Sequence, residues 1–289
     1  MKVLLIISLT CLVLSTALSG CISTESVSAA QVKNLALATS VDITSYEFLM
    51  DMSMNMETNL YGDDVSTISM STNGNGIVDL VNKKLMMEIT SSSSGGMQIE
   101  ASYLLYLIDY VMYMKMDFQD TQSWVKMDFS QLDTFLDTYN NYWDTYDQMQ
   151  SLAILLGVSE VKFVNDQIFF NVDCYGLELT PDINKLVDAM TTQFGSSASM
   201  LQGMDLSNFV DSFVIQLWIA KDTNFIMKAY EYMKITMQSP TQMTMWMEVT
   251  VLMYNYNNAD GIVLPEEAEN AVDMTDYGSQ IPSEFDFPT

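Results

Sequence analysis

From Tyr46 to Glu57 the chain alternates almost without a break. Tyr46, Phe48, Met50, Met52, Met54 and Met56 fall on even positions. Glu47, Asp51, Ser53, Asn55 and Glu57 fall between them, with Leu49 the one apolar intruder. A period of two is the period of a strand, and a strand apolar on one side only belongs in an antiparallel sheet with that side covered. The same rhythm returns near the end of the chain, where Met243, Met245, Met247, Val249, Val251 and Met253 line one face of another long strand.

Strands fill much of the interval. Asn73-Gly74-Asn75-Gly76 reads as a turn between strands at Val65–Thr72 and Ile77–Leu80. Leu85–Thr90 is a further strand, closed by the run from Ser91 to Gly96. Met97–Ile108 and Tyr110–Met116 form a hairpin, and Trp124–Met127 ends the first half. Val161–Val164 and Gln167–Leu179 return to strand. Phe213, Ile215, Leu217 and Ile219 alternate up to a turn at Lys221-Asp222-Thr223-Asn224, and Phe225–Met237 runs back antiparallel. Three stretches carry helical spacing instead. The first is Gln31–Ala38. The second begins at a capping Ser130, with Leu132, Phe135, Leu136, Tyr139, Trp143 and Tyr146 on one face, and runs to Gly157. The third has Thr180 as cap, Pro181 in the first turn, a face of Ile183, Leu186, Val187, Met190 and Phe194, and Gly195 as stop. Strands, helices and strands again, without βα alternation, predict one α+β domain built on an antiparallel sheet.

The first residues place that domain outside the cytosol. Lys2, an apolar run from Val3 to Leu14, and Leu18-Ser19-Gly20-Cys21 make a secretory signal of residues 1–20, cleaved before a cysteine that carries lipid. Lipid on Cys21 is then the only anchor, since no later segment is long and apolar enough to span a bilayer. Residues 21–30 read as a flexible spacer, 31–270 as the domain, and 271–289 as an acidic tail that frays. Cys11 leaves with the signal and Cys21 becomes a thioether. Cys174 remains alone, so no intramolecular disulfide supports the fold.

Composition closes off several function classes. The chain has 37 Asp and Glu against 11 cations, all of them Lys, and contains neither Arg nor His. A net charge of −26 excludes nucleic acid and attraction to an anionic membrane surface. Without His there is no imidazole-based triad or metal ligand, and without Arg no bidentate clamp for phosphate. Acidic pairs such as Asp63-Asp64 arise by chance in so acidic a chain. The expectation is a protein that is not an enzyme and carries no cofactor. Cys174 reads as a small buried hydrophobe rather than a reactive thiol.

The 25 methionines are the informative feature. Three readings stand: plain core packing, a deformable surface for an apolar ligand, or a soft site for Cu(I). Flexible thioethers specify a unique core poorly and accept varied ligands well, which favours the second reading.

The order of elements resembles the lipoproteins of the LolA and LppX/LprG-like superfamily. The likeness rests on the lipobox, the short helix, the long Met-rich strand, and Trp124-Val125-Lys126-Met127-Asp128 before a helix. It continues through Asp173-Cys174-Tyr175-Gly176-Leu177-Glu178-Leu179 before another helix, the hairpin around Lys221–Asn224, and the close Ile262-Val263-Leu264-Pro265-Glu266-Glu267-Ala268. It implies a half-barrel, a strongly curved antiparallel sheet wrapping around two or three helices with an apolar cavity between them. It also implies lipid acyl chains as the ligand. On this reading Phe48, Met50, Met52, Met54, Met112, Met114, Met243, Met245 and Met247 wall the cavity, completed by Leu136, Trp143 and Met190. The other readings are a surface lipoprotein with a filled core that acts through protein contacts, and a copper-handling protein.

Overall fold

The computed structural model of the chain describes residues 27–59, 65–95, 99–118, 121–131, 155–182, 185, 210–237 and 242–274. They include a sheet of twelve strands and an α-helix of 11 residues, α1 (Ala29–Thr39), besides helical residues at 155–157 and 185. The strands are β1 (Ser45–Asn59), β2 (Val65–Asp79), β3 (Lys84–Ser94), β4 (Ile99–Ile108), β5 (Val111–Phe118), β6 (Thr121–Asp128), β7 (Ser159–Phe169), β8 (Val172–Pro181), β9 (Val210–Ala220), β10 (Ile226–Met237), β11 (Gln242–Tyr254) and β12 (Val272–Asp273). Their order is β12-β6-β5-β4-β3-β2-β1-β11-β10-β9-β8-β7. Every neighbouring pair is antiparallel except β12 on β6. The two Met-rich strands, β1 and β11, meet in the middle along the full register from Glu47↔Tyr254 to Asn59↔Gln242. The predicted antiparallel sheet is therefore present. The second and third predicted helices fall almost wholly at 132–154 and 183–195, which apart from 185 lie outside the described residues.

Helix α1 decides which side of the sheet is covered. Ser28 caps it: its hydroxyl accepts from the Gln31 amide, and the Gln31 side chain accepts from the Ser28 amide in return. Two orphan donors of the first turn are thereby satisfied, so the helix starts before the expected Gln31. Val32 and Ala36 lie one turn apart and are both buried, against Leu177, Leu179, Ile215, Leu217 and Ile219. Full burial of each such Leu or Ile contributes roughly 1.5–3 kcal/mol. The sheet face under α1 is the inner face and its reverse the outer face. Lys33 Nζ donates to the carbonyls of Leu156 (2.8 Å) and Ser159 (3.4 Å), which ties the helix to the start of β7.

Several expectations are corrected. Asn73-Gly74-Asn75-Gly76 is not a turn but the middle of β2. The glycines are there for room: a Cβ at Gly76 would stand 2.7 Å from the Phe48 ring and 2.4 Å from the Met86 carbonyl oxygen. Likewise the serines from Ser91 to Ser94 continue β3 instead of closing it, and Ser91 hydrogen-bonds Thr72 across the strands at 3.0 Å. The stretch Gln167–Leu179 is not one strand. It folds back at Phe170 (φ 49°) and Asn171 (φ 63°), two successive left-handed residues of the kind a two-residue hairpin needs. The strain at Phe170 is offset where its ring packs on Tyr254, with centroids 5.0 Å apart. Asp109 and Tyr110 make the equivalent turn between β4 and β5 (φ 51° and 69°). Thr180 and Pro181 end β8 instead of opening a helix, and the Asp182 carboxylate accepts from the Lys185 amide. Finally Val272 and Asp273, assigned to the tail, pair with Val125 and Lys126, and Asp273 lies 3.6 Å from Lys126 Nζ. Among the described residues no helix is long and apolar enough to cross a membrane.

Candidate functional site, the methionine-rich inner face

Directly paired residues in an antiparallel sheet share a face, so the register alone maps the inner surface. Met54 stands between Met70 of β2 and Met247 of β11, and Met247 pairs with Met233 of β10. Four methionines thus lie abreast across β2, β1, β11 and β10. The next rung toward one end reads Ile68, Met56, Met245, Ile235, and beyond it Met243 pairs with Thr58 and Met237. The next rung the other way reads Thr72, Met52, Val249, Glu231, Ile215. After that come Gly74, Met50, Val251, Ala229 and Leu217.

Phe48, Met50, Met52, Met54, Met243, Met245 and Met247 therefore share one surface. Met112 and Met114 share it too. Met114 pairs with Leu105, Leu105 with Met87, Met87 with Gly76, and Gly76 with Phe48. The row spans four strand spacings, roughly 19 Å from Met114 to Phe48 at about 4.8 Å per strand. Leu136, Trp143 and Met190 lie outside the described residues, as does Cys21.

The face is not uniform. At the end carrying Tyr46 and Phe48, these rings are buried with Ile43 and Val78, and Met50 packs against them. Under α1 the surface is equally closed. Met52, Met54, Met243, Met245 and Met247 are half-buried and belong to none of the buried clusters among the described residues. That stretch of thioethers lies beyond the packed core of the described residues, which is where a deformable surface has something to do.

Two features lie elsewhere. Cys174 is fully buried on the outer face with Trp218, Ala220 and Met227. Burial, with the charge of Asp222 behind it, pushes its thiol up to about 11. It is thus set apart from the methionine rungs and offers no thiolate to them. In the folded protein at pH 7 Cys174 is expected to resist thiol-specific alkylation, and to react at once when urea opens the sheet; rapid labelling without denaturant would contradict its burial. A depression of about 480 Å³ also opens among residues of the outer face. Asp51, Asn73, Asn75, Glu88 and Thr90 give it a polar rim unsuited to an acyl chain.

A family model matches residues 28–273, from the capping Ser28 of α1 to the last residue of β12; its description is a family of unknown function, DUF6612. The chain belongs to that family. No curated protein matches this DUF6612 chain. Solved structures to which it is similar include a LolA superfamily protein from Nitrosomonas europaea, at 10% identity and TM-score 0.23, covering 84% of this chain and 97% of that one. Another is a DUF1329 family protein from Desulfovibrio piger, at 13% identity and TM-score 0.24, covering 81% and 95%. A third is the MucA/MucB complex of Pseudomonas aeruginosa, at 10% identity and TM-score 0.25, covering 84% of this chain and 60% of that one.

Sequence reasoning missed Met70, Met233 and above all Glu231. Burial drives the Glu231 carboxyl above the ordinary carboxylate range, and no charged group contributes to that shift. The available signal was the alternation Ala229, Glu231, Met233, Ile235, Met237, in which a single acid interrupts an apolar face.

Proposed function

We propose that this protein is a membrane-anchored, extracytoplasmic holder of an apolar ligand, and that the ligand's chains, lipid acyl chains, lie across the methionine rungs of the inner face. One observation carries the reading. Met70, Met54, Met247 and Met233 lie abreast on four adjacent strands, on the same face as the buried core but beyond its clusters. Side chains with three rotatable bonds and a polarisable sulfur conform to varied chains at little cost, whereas a core needing one packing would use Leu, Ile and Val. The anchor is lipid on Cys21, which keeps the sheet near its source of ligand. The chemistry required is binding, and the absence of His and Arg from the whole sequence fits a role without acid–base catalysis.

The test is native mass spectrometry of the chain from Ile22 onward, purified without detergent, followed by organic extraction. A co-purifying mass that survives washing and is released as lipid into the organic phase is the expected result. A bare polypeptide mass that stays bare after incubation with membrane lipids would overturn the proposal and leave a surface lipoprotein that acts through protein contacts.

A further inference from the structure

An acid in the middle of an apolar sheet face needs a reason. Glu231 sits on the rung between Val249 of β11 and Ile215 of β9, with Ala229 and Met233 its neighbours along β10 on the same face. Among the described residues the register places only one other strand carboxylate on the inner face, Asp173 beside the β7–β8 turn, and none of the described residues hydrogen-bonds Glu231 or forms an ion pair with it. A carboxylate that loses part of its water and gains no partner among the described residues is costly, and the upward shift of its proton affinity is the mark of that cost.

No cation among the described residues is offered to it. All 11 basic residues are lysines, and every one except Lys2 lies among the described residues. Lys84, Lys115, Lys126, Lys162, Lys228 and Lys234 stand on the outer face by register. Lys221 is held by Asp166 at 2.7 Å, Lys185 by Asp182 at 3.1 Å, and Lys83 lies in the turn between β2 and β3. Lys33, the lysine of α1, is bonded to the carbonyls of Leu156 and Ser159.

We infer that the inner face takes an amphiphile with an ammonium headgroup, and that Glu231 receives that headgroup while the methionine rungs receive its chain. The inference rests on the apolar-ligand reading above and specifies the polar end of the ligand. Charge complementarity supports it at two ranges. Close up, an ammonium supplies the charge and donors that the half-buried carboxylate lacks among the described residues. Further out, a net charge of −26 draws cations toward the protein and repels anionic amphiphiles. The apolar neighbours of Glu231 exclude a small hydrophilic amine, which would bury its partner and gain no chain contact.

Calorimetric titration of the chain from Ile22 onward, which carries every described element, separates the possibilities. The probes are decylammonium and uncharged decanol, alike in chain and different in head. Wild type should bind decylammonium at least about tenfold more tightly than decanol, the minimum expected of one charge-assisted contact. Glu231→Gln should erase that preference and leave decanol affinity unchanged, while Glu231→Asp should keep it. Circular dichroism confirms that each variant folds. Equal affinities in wild type, or a preference that persists in Glu231→Gln, would overturn the inference while decanol binding leaves the apolar-ligand reading intact. Failure of both probes to bind would overturn the two together.

Discussion

Leu217→Ala is expected to lower the unfolding free energy by about 3 kcal/mol. Leu217 is 1% exposed, pairs with Leu177 of β8 and Ala229 of β10, and lies in the cluster that includes Val32 and Ala36 of α1. The lost side chain leaves a cavity walled by two strands and a helix. Strand neighbours locked in register cannot collapse into it, so the cavity cost adds to the lost transfer free energy. For a chain of this size that corresponds to roughly 6–12 °C in Tm, at about 2–4 °C per kcal/mol. Leu49→Ala is the control. Leu49 is 41% exposed on the outer face of β1, and its loss should cost within about 0.5 kcal/mol. Urea titration of both variants measures the contrast. Equal, small effects would mean that α1 does not pack on β8 and β9.

The contrast also shows which parts of the fold the residues announce. β1 and β11 are legible because acids and serines alternate with methionines along β1, and the β-branched and Met positions of β11 repeat that rhythm. A strand with one wet face cannot slip by one residue without burying Asp51 or Glu57. The hairpin at Phe170-Asn171 is hidden because it has no glycine. A bulky residue takes the left-handed conformation there, and its tertiary contact with Tyr254 cannot be read locally. Gly74 and Gly76 mislead for the opposite reason. Asn-Gly twice in succession is a strong turn signal, yet here both glycines serve the close approach of Phe48 and Met50 on the neighbouring strand.

The candidate site divides in the same way. Membership of Met50, Met52 and Met54 in one row follows from period alone. The alignment of Met112 and Met114 with that row does not, because it passes through four successive registers, each free to invert the face. Glu231 escaped notice because Phe225–Met237 reads as a returning strand of mixed polarity. Its pairing with Val249 and Ile215 confirms what the alternation from Ala229 to Met237 hints at, that the acid shares the apolar face.

The strongest functional effect is expected at the centre of the methionine rungs. Met54 and Met247 are directly opposed, which places their Cβ atoms about 5 Å apart. Changing both to Leu keeps volume and apolarity and should leave ligand binding within a few-fold, because such swaps cost under about 1.5 kcal/mol. Changing both to Asp puts two carboxylates side by side in a protein whose net charge is already −26. A chain lying across them would lose contact with about four methylenes. At about 0.8 kcal/mol each that is roughly 3 kcal/mol, or on the order of a hundredfold in affinity. Ser53→Asp is the matching control, since Ser53 pairs with Glu248 on the outer face of the same two strands and also adds negative charge. Titration of decanol into the three variants reads the difference directly. A loss confined to the Asp pair means that the chain lies on the inner face between β1 and β11. A loss shared with Ser53→Asp means that added charge alone is responsible. Full binding by the Asp pair would place the ligand elsewhere and return the methionines to the role of core filling.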